Sequence, residues 1–184
     1  ITEAYKSGQC VFGENKVQEL VEKNESLPSD IQWHMIGHLQ TNKVKYIAPF
    51  VSLIHAVDSE KLLKEINKQG LKNNRIIPVL LQVHIAQEES KFGFSYTELD
   101  DILKNTVLPG YENVKISGFM GMASNSDDES IVLSEFSTLN KKFQEYKYSH
   151  NLDILSMGMS GDYRLALESG SNMIRVGSKI FGTR

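Results

Sequence analysis

Apolar residues recur along this chain in two alternating patterns. Short runs rich in Val, Ile and Leu predict β-strands, and the segments between them carry apolar residues at helical spacing. We predict strands at Cys10–Gly13, Gln32–Ile36, Leu53–Ala56, Ile76–Ile85, Val114–Met120, Ile154–Met157 and Met173–Val176. We predict helices at Thr2–Ser7, Val17–Lys23, Lys43–Ile47, Glu60–Gln69, Tyr96–Asn105, Asp128–Tyr146 and Tyr163–Glu168.

Two serines are each followed by a glutamate three residues later, a spacing typical of helix starts. Ser95 precedes Glu98 and Ser126 precedes Glu129. In this arrangement each side chain satisfies a free backbone N–H group of the other residue. We therefore predict a capping box at both positions.

The alternation of strand and helix continues to the C-terminus with no Pro-rich or Ser-rich linker, which predicts a single domain over residues 1–184. Such a chain forms either a doubly wound sheet or a barrel of parallel strands. A phosphate-type turn after each of the last two strands favours the α/β class with a (β/α)8 TIM-type barrel. Because that barrel has eight strands, we expect the first strand to precede Ile1 and the domain to be incomplete at its N-terminus.

Composition restricts the class of partner. The 184 residues are 40% hydrophobic and 23% charged with a net charge of -3, and they contain no long basic run. We therefore expect no nucleic-acid partner. A lone cysteine, Cys10, and the absence of an apolar run of ~20 residues or a secretory leader favour a cytoplasmic protein without a membrane segment. The spacing of His, Cys, Asp and Glu predicts no metal site.

Two glycine-rich turns near the C-terminus carry the clearest sign of a ligand. The first reads Ser-Met-Gly-Met-Ser-Gly-Asp over residues 156–162, and the second lies within Met-Ile-Arg-Val-Gly-Ser-Lys-Ile-Phe-Gly over residues 173–182. Each has a hydroxyl, Ser160 or Ser178, close to glycines, and such turns can present backbone N–H groups to a phosphate. Taken in isolation, the same residues could be ordinary turn and cap residues.

Five motifs occur in one order along the chain. They are F-G-E-N at 12–15, H-x-I-G-x-L-Q-x-N-K at 34–43, E-x-x-K-x-G at 88–93, G-x-M-G-M at 118–122, and S-M-G-M-S-x-D through V-G-S-x-I-F-G at 156–182. In these motifs the chain resembles the YggS/PROSC-type pyridoxal 5'-phosphate homeostasis proteins, a family related to the N-terminal barrel of alanine racemase.

The resemblance implies a pyridoxal phosphate (PLP) bound in the barrel mouth. It places the phosphate on Ser160, Gly177 and Ser178 and the pyridine nitrogen opposite Arg175, and the remaining cofactor-binding candidates are Asn15, His34, Met157 and Gly158. Three of these residues have a structural alternative. Arg175 could instead pair with Glu14 or Glu168 inside the barrel, Asn15 could cap the helix after it, and His34 could be a core histidine.

The resemblance also implies a lysine that binds the cofactor as a Schiff base at the end of the first strand. No lysine of this chain has that context, so we expect it upstream of Ile1 and predict no catalytic residue in the chain. The nearest rival is Lys91, but Glu88 and Glu89 beside it indicate an ion-paired lysine rather than an activated one.

Arg175 bears on the activity we expect. A guanidinium remains protonated and only donates hydrogen bonds, so it would keep the ring nitrogen unprotonated and weaken the cofactor as an electron sink. We therefore expect a PLP-binding protein of vitamin B6 homeostasis without strong catalysis. We expect it to be a monomer or weak dimer that serves PLP-dependent apo-enzymes. The alternatives are an alanine racemase-like amino-acid racemase and a barrel enzyme acting on a phosphorylated metabolite.

Overall fold

The structure is a computed structural model that describes residues 1–88, 92–104 and 110–182. Its strands are β1 (Val11–Glu14), β2 (Gln32–Met35), β3 (Leu53–Val57), β4 (Ile77–Val83), β5 (Val114–Gly121), β6 (Ile154–Met159) and β7 (Met173–Arg175). Its helices are α1 (Thr2–Lys6), α2 (Val17–Ser26), α3 (Val44–Ile47), α4 (Glu60–Lys72), α5 (Tyr96–Lys104), α6 (Glu129–Lys147), α7 (Tyr163–Glu168) and α8 (Ser178–Phe181), with a 3-10 turn at Thr41–Lys43 before α3.

The seven strands form one parallel sheet in the order β1 to β7. A doubly wound sheet would reverse its strand order at a switch point, whereas a barrel keeps the order of the chain. His55 on β3 contacts Ser156 on β6 although these strands are not neighbours, so the sheet curls around an interior. The predicted α/β barrel is thus confirmed, with β1 and β7 as the outer strands of the described sheet.

Two layers of buried side chains stabilise this arrangement. The larger one lies between the sheet and the helices and includes Trp33, Phe119 and Phe136, all almost fully buried. The smaller one fills the barrel interior with Leu53, Ala56, Leu80 and Met120. Side chains of a strand alternate between these layers, because successive residues point to opposite faces.

The predicted elements match the observed ones with few differences. Strand β4 ends at Val83 rather than at residue 85, because the His84 N–H donates to the Phe94 carbonyl (2.9 Å) where the chain turns away. Helix α8 was not predicted, since its four residues are too few to show a helical period. The predicted end of α5 at Asn105 lies outside the described residues.

One of the two predicted capping boxes is confirmed. The Ser95 N–H donates to the Glu98 carboxylate (2.8 Å) and the Glu98 N–H to the Ser95 hydroxyl (3.2 Å). The prediction for Ser126 is wrong, because Asp128 is the N-cap of α6 and accepts from the Ser130 N–H (2.9 Å). A carboxylate nearer the helix start replaces the serine in that role.

Across the described ranges, no helix has the length and apolar character needed to cross a membrane.

Candidate functional site

The two glycine-rich turns lie side by side at the carboxyl ends of β6 and β7. The Gly177 N–H donates a hydrogen bond to the Ser160 hydroxyl (3.2 Å), which joins residues 17 positions apart. The first turn is also held internally, since the Met159 N–H donates to the Asp162 carboxylate (2.6 Å). The structure therefore brings Ser160, Gly177 and the adjacent Ser178 together.

Open space adjoins both turns. A Cβ atom added at Gly161 or at Gly177 would meet no heavy atom within 4 Å. The backbone N–H groups of Ser178 and Lys179, at the start of α8, have no hydrogen-bond acceptor among the described residues. Free N–H groups close to open space suit an anion with several oxygen acceptors, such as a phosphate.

Gly158 has a different role, which is to let the first turn form. Its φ of +91° belongs to the region that favours glycine, and a Cβ there would lie 2.6 Å from the Ala166 Cβ and 2.9 Å from the Tyr163 Cα. Helix α7 can pack this closely because no side chain intervenes. Gly158 thus shapes the cradle, the name we give to residues 158–162 and 176–179.

Arg175 extends from β7 into the barrel. Its guanidinium donates to the Ser156 hydroxyl (2.6 Å), the Ser156 carbonyl (3.1 Å) and the Gly121 carbonyl (3.2 Å). These partners replace Glu14 and Glu168, the acids proposed for it in the alternative interpretation. Although the residue as a whole is half-buried, the burial of its guanidinium lowers the pKa of Arg175 to about 10, and the charge of Asp162 opposes that shift.

His34 lies at the end of β2 and is buried against a second histidine. Its Nδ1 is 3.1 Å from Nε2 of His55 on β3, and Nδ1 of His55 is 3.2 Å from the Ser156 hydroxyl. Burial lowers the pKa of His34 to about 4. The pKa of His55 lies well below its usual value. Burial is the main cause, and the charges of His34 and Arg175 lower it further. Both rings are therefore neutral at pH 7.

Asn15 directly follows β1 and is exposed at the same end of the barrel. Lys16, not Asn15, is the N-cap of α2, so the capping alternative for Asn15 is wrong. A Cβ at Gly37 would lie 2.8 Å from the Asn15 Cα, which shows that the loops after β1 and β2 approach closely. That approach places Asn15 beside the loop that follows His34.

Met157 is the one candidate whose side chain lies on another face. It is fully buried in the core between the sheet and the helices, together with Leu155 and Ala166. Its neighbour Ser156 points into the barrel instead, as the alternation along β6 requires. Any contact of Met157 with a ligand in the mouth would thus involve its backbone.

Sequence reasoning missed His55 and Ser156. The available signal was a single polar residue within an apolar strand, Leu-Ile-His-Ala-Val for β3, since a buried polar side chain needs a partner. It also missed His38, whose Nδ1 lies 3.0 Å from the Asp58 carboxylate and whose ring stacks on Phe92 at a centroid separation of 4.2 Å.

The rival lysine, Lys91, lies outside the described residues. Within the described ranges, no three His, Cys, Asp or Glu side chains are grouped closely enough to hold a metal ion.

Comparison with known proteins gives one consistent family. Residues 1–184 match the model of the family described as alanine racemase, N-terminal domain. The pyridoxal phosphate homeostasis protein of Aquifex aeolicus is 40% identical over 188 residues, which cover 100% of this chain and 81% of that protein. The protein of the same name from Schizosaccharomyces pombe is 38% identical over 191 residues, covering 100% and 78%.

Solved structures agree with the sequence relatives. PipY of Synechococcus elongatus PCC7942, determined with PLP bound, has a TM-score of 0.87 and 33% identity, covering 98% of this chain and 85% of PipY. Alanine racemase from Bartonella henselae shares the fold, with a TM-score of 0.70 at 18% identity over 97% of this chain and 48% of that one. The chain therefore belongs to the pyridoxal phosphate homeostasis protein family, within the alanine racemase N-terminal domain group.

Proposed function

We propose that this chain binds pyridoxal 5'-phosphate in the mouth of its barrel and acts in vitamin B6 homeostasis. The observation that carries the proposal is the cradle, where two turns bridged by Ser160 and Gly177 face open space beside Arg175. PLP homeostasis relatives and a neighbour with PLP bound support the identity of the ligand.

The cradle has the chemistry that a phosphate dianion needs. The Ser178 and Lys179 N–H groups lack acceptors among the described residues, and the Ser160 and Ser178 hydroxyls can donate as well. Because the Ser160 bridge already fixes the turns, little reorganisation opposes binding. Gly161 and Gly177 leave room for the oxygens.

The rest of the pocket suits the pyridine ring. Some of the Arg175 N–H groups donate hydrogen bonds to Ser156 and Gly121, and the remaining N–H groups can donate to the ring nitrogen. His34 near the end of β2 and Asn15 directly after β1 are the other side chains that we assign to this pocket. Bound PLP supplies an electrophilic aldehyde and an electron-accepting ring, and a donor-only partner at the nitrogen weakens the second of these properties.

For this reason we propose a carrier or buffer of PLP rather than an efficient enzyme. We further propose that it is cytoplasmic, that it supplies PLP-dependent apo-enzymes, and that it is a monomer or weak dimer. Cys10, exposed and without a disulfide, suits a reducing compartment. Light scattering of the purified protein at several concentrations would test the assembly state.

Titration of the chain with PLP, and in parallel with pyridoxal, tests the ligand. We expect PLP to bind at least about tenfold more tightly, because charge-assisted hydrogen bonds contribute about 1.5–3 kcal/mol. Equal affinities for the two compounds would contradict the role of the cradle. Alanine racemisation by the PLP-loaded protein at enzymatic rates, about 1 per second or faster, would contradict the carrier role.

A further inference from the structure

Four side chains form one hydrogen-bonded series across the barrel interior. They are His34 on β2, His55 on β3, Ser156 on β6 and Arg175 on β7, with successive separations of 3.1, 3.2 and 2.6 Å. His55 and Ser156 are almost completely buried, at 1% and 0% exposure. We call these four residues the relay.

The chemistry of Arg175 sets the direction of the relay. A guanidinium only donates, so the Ser156 oxygen accepts from Arg175 and its hydroxyl proton is free to donate elsewhere. The neighbouring acceptor is Nδ1 of His55. A neutral histidine that accepts at Nδ1 carries its proton on Nε2, and this proton points to Nδ1 of His34.

The opposite direction would leave a buried proton without an acceptor. If His55 donated from Nδ1, Ser156 would accept from both Arg175 and His55. Its own hydroxyl proton would then need another acceptor, and the described residues provide none. Unpaired buried donors are costly, so the first direction is the stable one.

The free end of the relay is Nε2 of His34. This atom has no hydrogen-bond partner among the described residues. It is also not fully buried, unlike the unpaired side-chain atoms of Tyr111 and Ser169. It is therefore accessible to solvent, and His34 lies near the carboxyl end of β2, on the side of the barrel where the mouth forms. With Nδ1 accepting from His55, Nε2 carries the proton of the neutral ring.

We propose that His55 and Ser156 are positioning residues that fix His34 as a hydrogen-bond donor, with Nε2–H directed into the mouth. His34 would then offer a proton to an oxygen acceptor of a ligand and could not act as a base there. The identity of this ligand as PLP rests on the proposed function, whereas the direction of the hydrogen bonds in the relay does not. Ser156 simultaneously holds the Arg175 guanidinium in place.

Nitrogen-15 NMR of the histidine rings in the ligand-free chain at pH 7 tests the relay. We expect His34 and His55 to show unprotonated Nδ1 and protonated Nε2. Protonated Nδ1 on His34 in the unaltered protein would overturn the proposal. If this pattern is found and PLP still fails to bind, the proposed function fails while the relay stands.

Substitutions test whether Ser156 sets the tautomer. We expect Ser156→Ala to shift the His34 nitrogen signals towards the average of the two tautomers and Ser156→Thr to restore them. Ser117→Ala is the matched control, because Ser117 is another buried serine of the sheet whose hydroxyl makes only a 3.5 Å contact with the Lys115 carbonyl. Unchanged His34 signals in folded Ser156→Ala would overturn the proposal.

A second variant covers the case in which Ser156→Ala does not fold. Glutamine at position 55 can donate to His34 and accept from Ser156 at once, as the neutral histidine does. We expect His55→Gln to keep the Nε2–H form of His34 and His55→Leu to lose it. A mixed His34 tautomer in folded His55→Gln would contradict the relay.

Discussion

The hydroxyl of Ser160 accepts a hydrogen bond from the Gly177 N–H at 3.2 Å and so joins the turns that follow β6 and β7. Neither turn has a long helix or a covalent link to hold it near the other. The bridge therefore fixes the relative position of the backbone groups in the cradle. It makes the cradle a preorganised site in the absence of ligand.

Ser160→Ala removes that bridge. We expect the affinity for PLP to fall by about tenfold, because one hydrogen bond contributes about 1 kcal/mol, while the melting temperature changes little. Ser160→Thr keeps the hydroxyl and should retain most of the affinity. Isothermal titration measures both variants. Ser134→Ala, at an exposed position of α6, is the control, and a similar loss of affinity there would argue against a specific bridge.

Two glycine substitutions should separate folding from binding. Gly158→Ala places a Cβ at φ +91° and 2.6 Å from the Ala166 Cβ, and we expect a loss of about 3 kcal/mol in unfolding free energy. Gly177→Ala meets nothing within 4 Å, so stability should stay near that of the unaltered protein while PLP binding weakens. Urea unfolding and PLP titration measure the two effects. Normal PLP affinity in Gly177→Ala would show that the phosphate lies elsewhere.

Arg175 should matter for its shape as well as its charge. Arg175→Lys keeps a cation but cannot reach Ser156 and Gly121 with one planar group. We expect at least about a tenfold loss of PLP affinity in Arg175→Lys and a larger loss in Arg175→Glu. Circular dichroism would verify that each variant folds. Unaltered PLP binding by folded Arg175→Glu would remove Arg175 from the site.

The buried histidines should make stability depend on pH. Folding lowers the pKa of His34 from 6.5 to about 4, so the unfolded chain takes up a proton first as the pH falls. The contribution of His34 to the free energy of unfolding is complete above pH 6.5. It falls by about 3 kcal/mol between pH 6.5 and pH 4, at ~1.4 kcal/mol per pH unit.

His34→Gln removes this titrating group. We expect the variant to lose less stability than the unaltered protein between pH 6.5 and pH 4, as measured by urea unfolding at each pH. The comparison at pH 8 is the control, because the ring is neutral there in both folded and unfolded chains. Equal pH slopes for the two proteins would contradict the buried neutral state of His34.

Local sequence patterns predicted most of the fold. Strand and helix periods identified β1 to β7, and the strand order followed because sequential β/α units in one chain favour a barrel. The short helix α8 and the cap at Asp128 were not predicted. Four residues are too few to show a helical period in α8. At the start of α6, Ser126 and Asp128 compete for the cap, and their three-dimensional placement decides which one fills it.

The sequence by itself also determined the chemistry available at the mouth, because Ser160 and Gly177 lie in turns that follow strands and Arg175 is the last residue of β7. Only the tertiary structure decided which polar groups meet across the barrel. The contact between His55 and Ser156 joins residues 101 positions apart, and no local pattern encodes such a pair. It exists because the sheet curls and brings the inward faces of β3 and β6 together, where each buried polar side chain must find a partner.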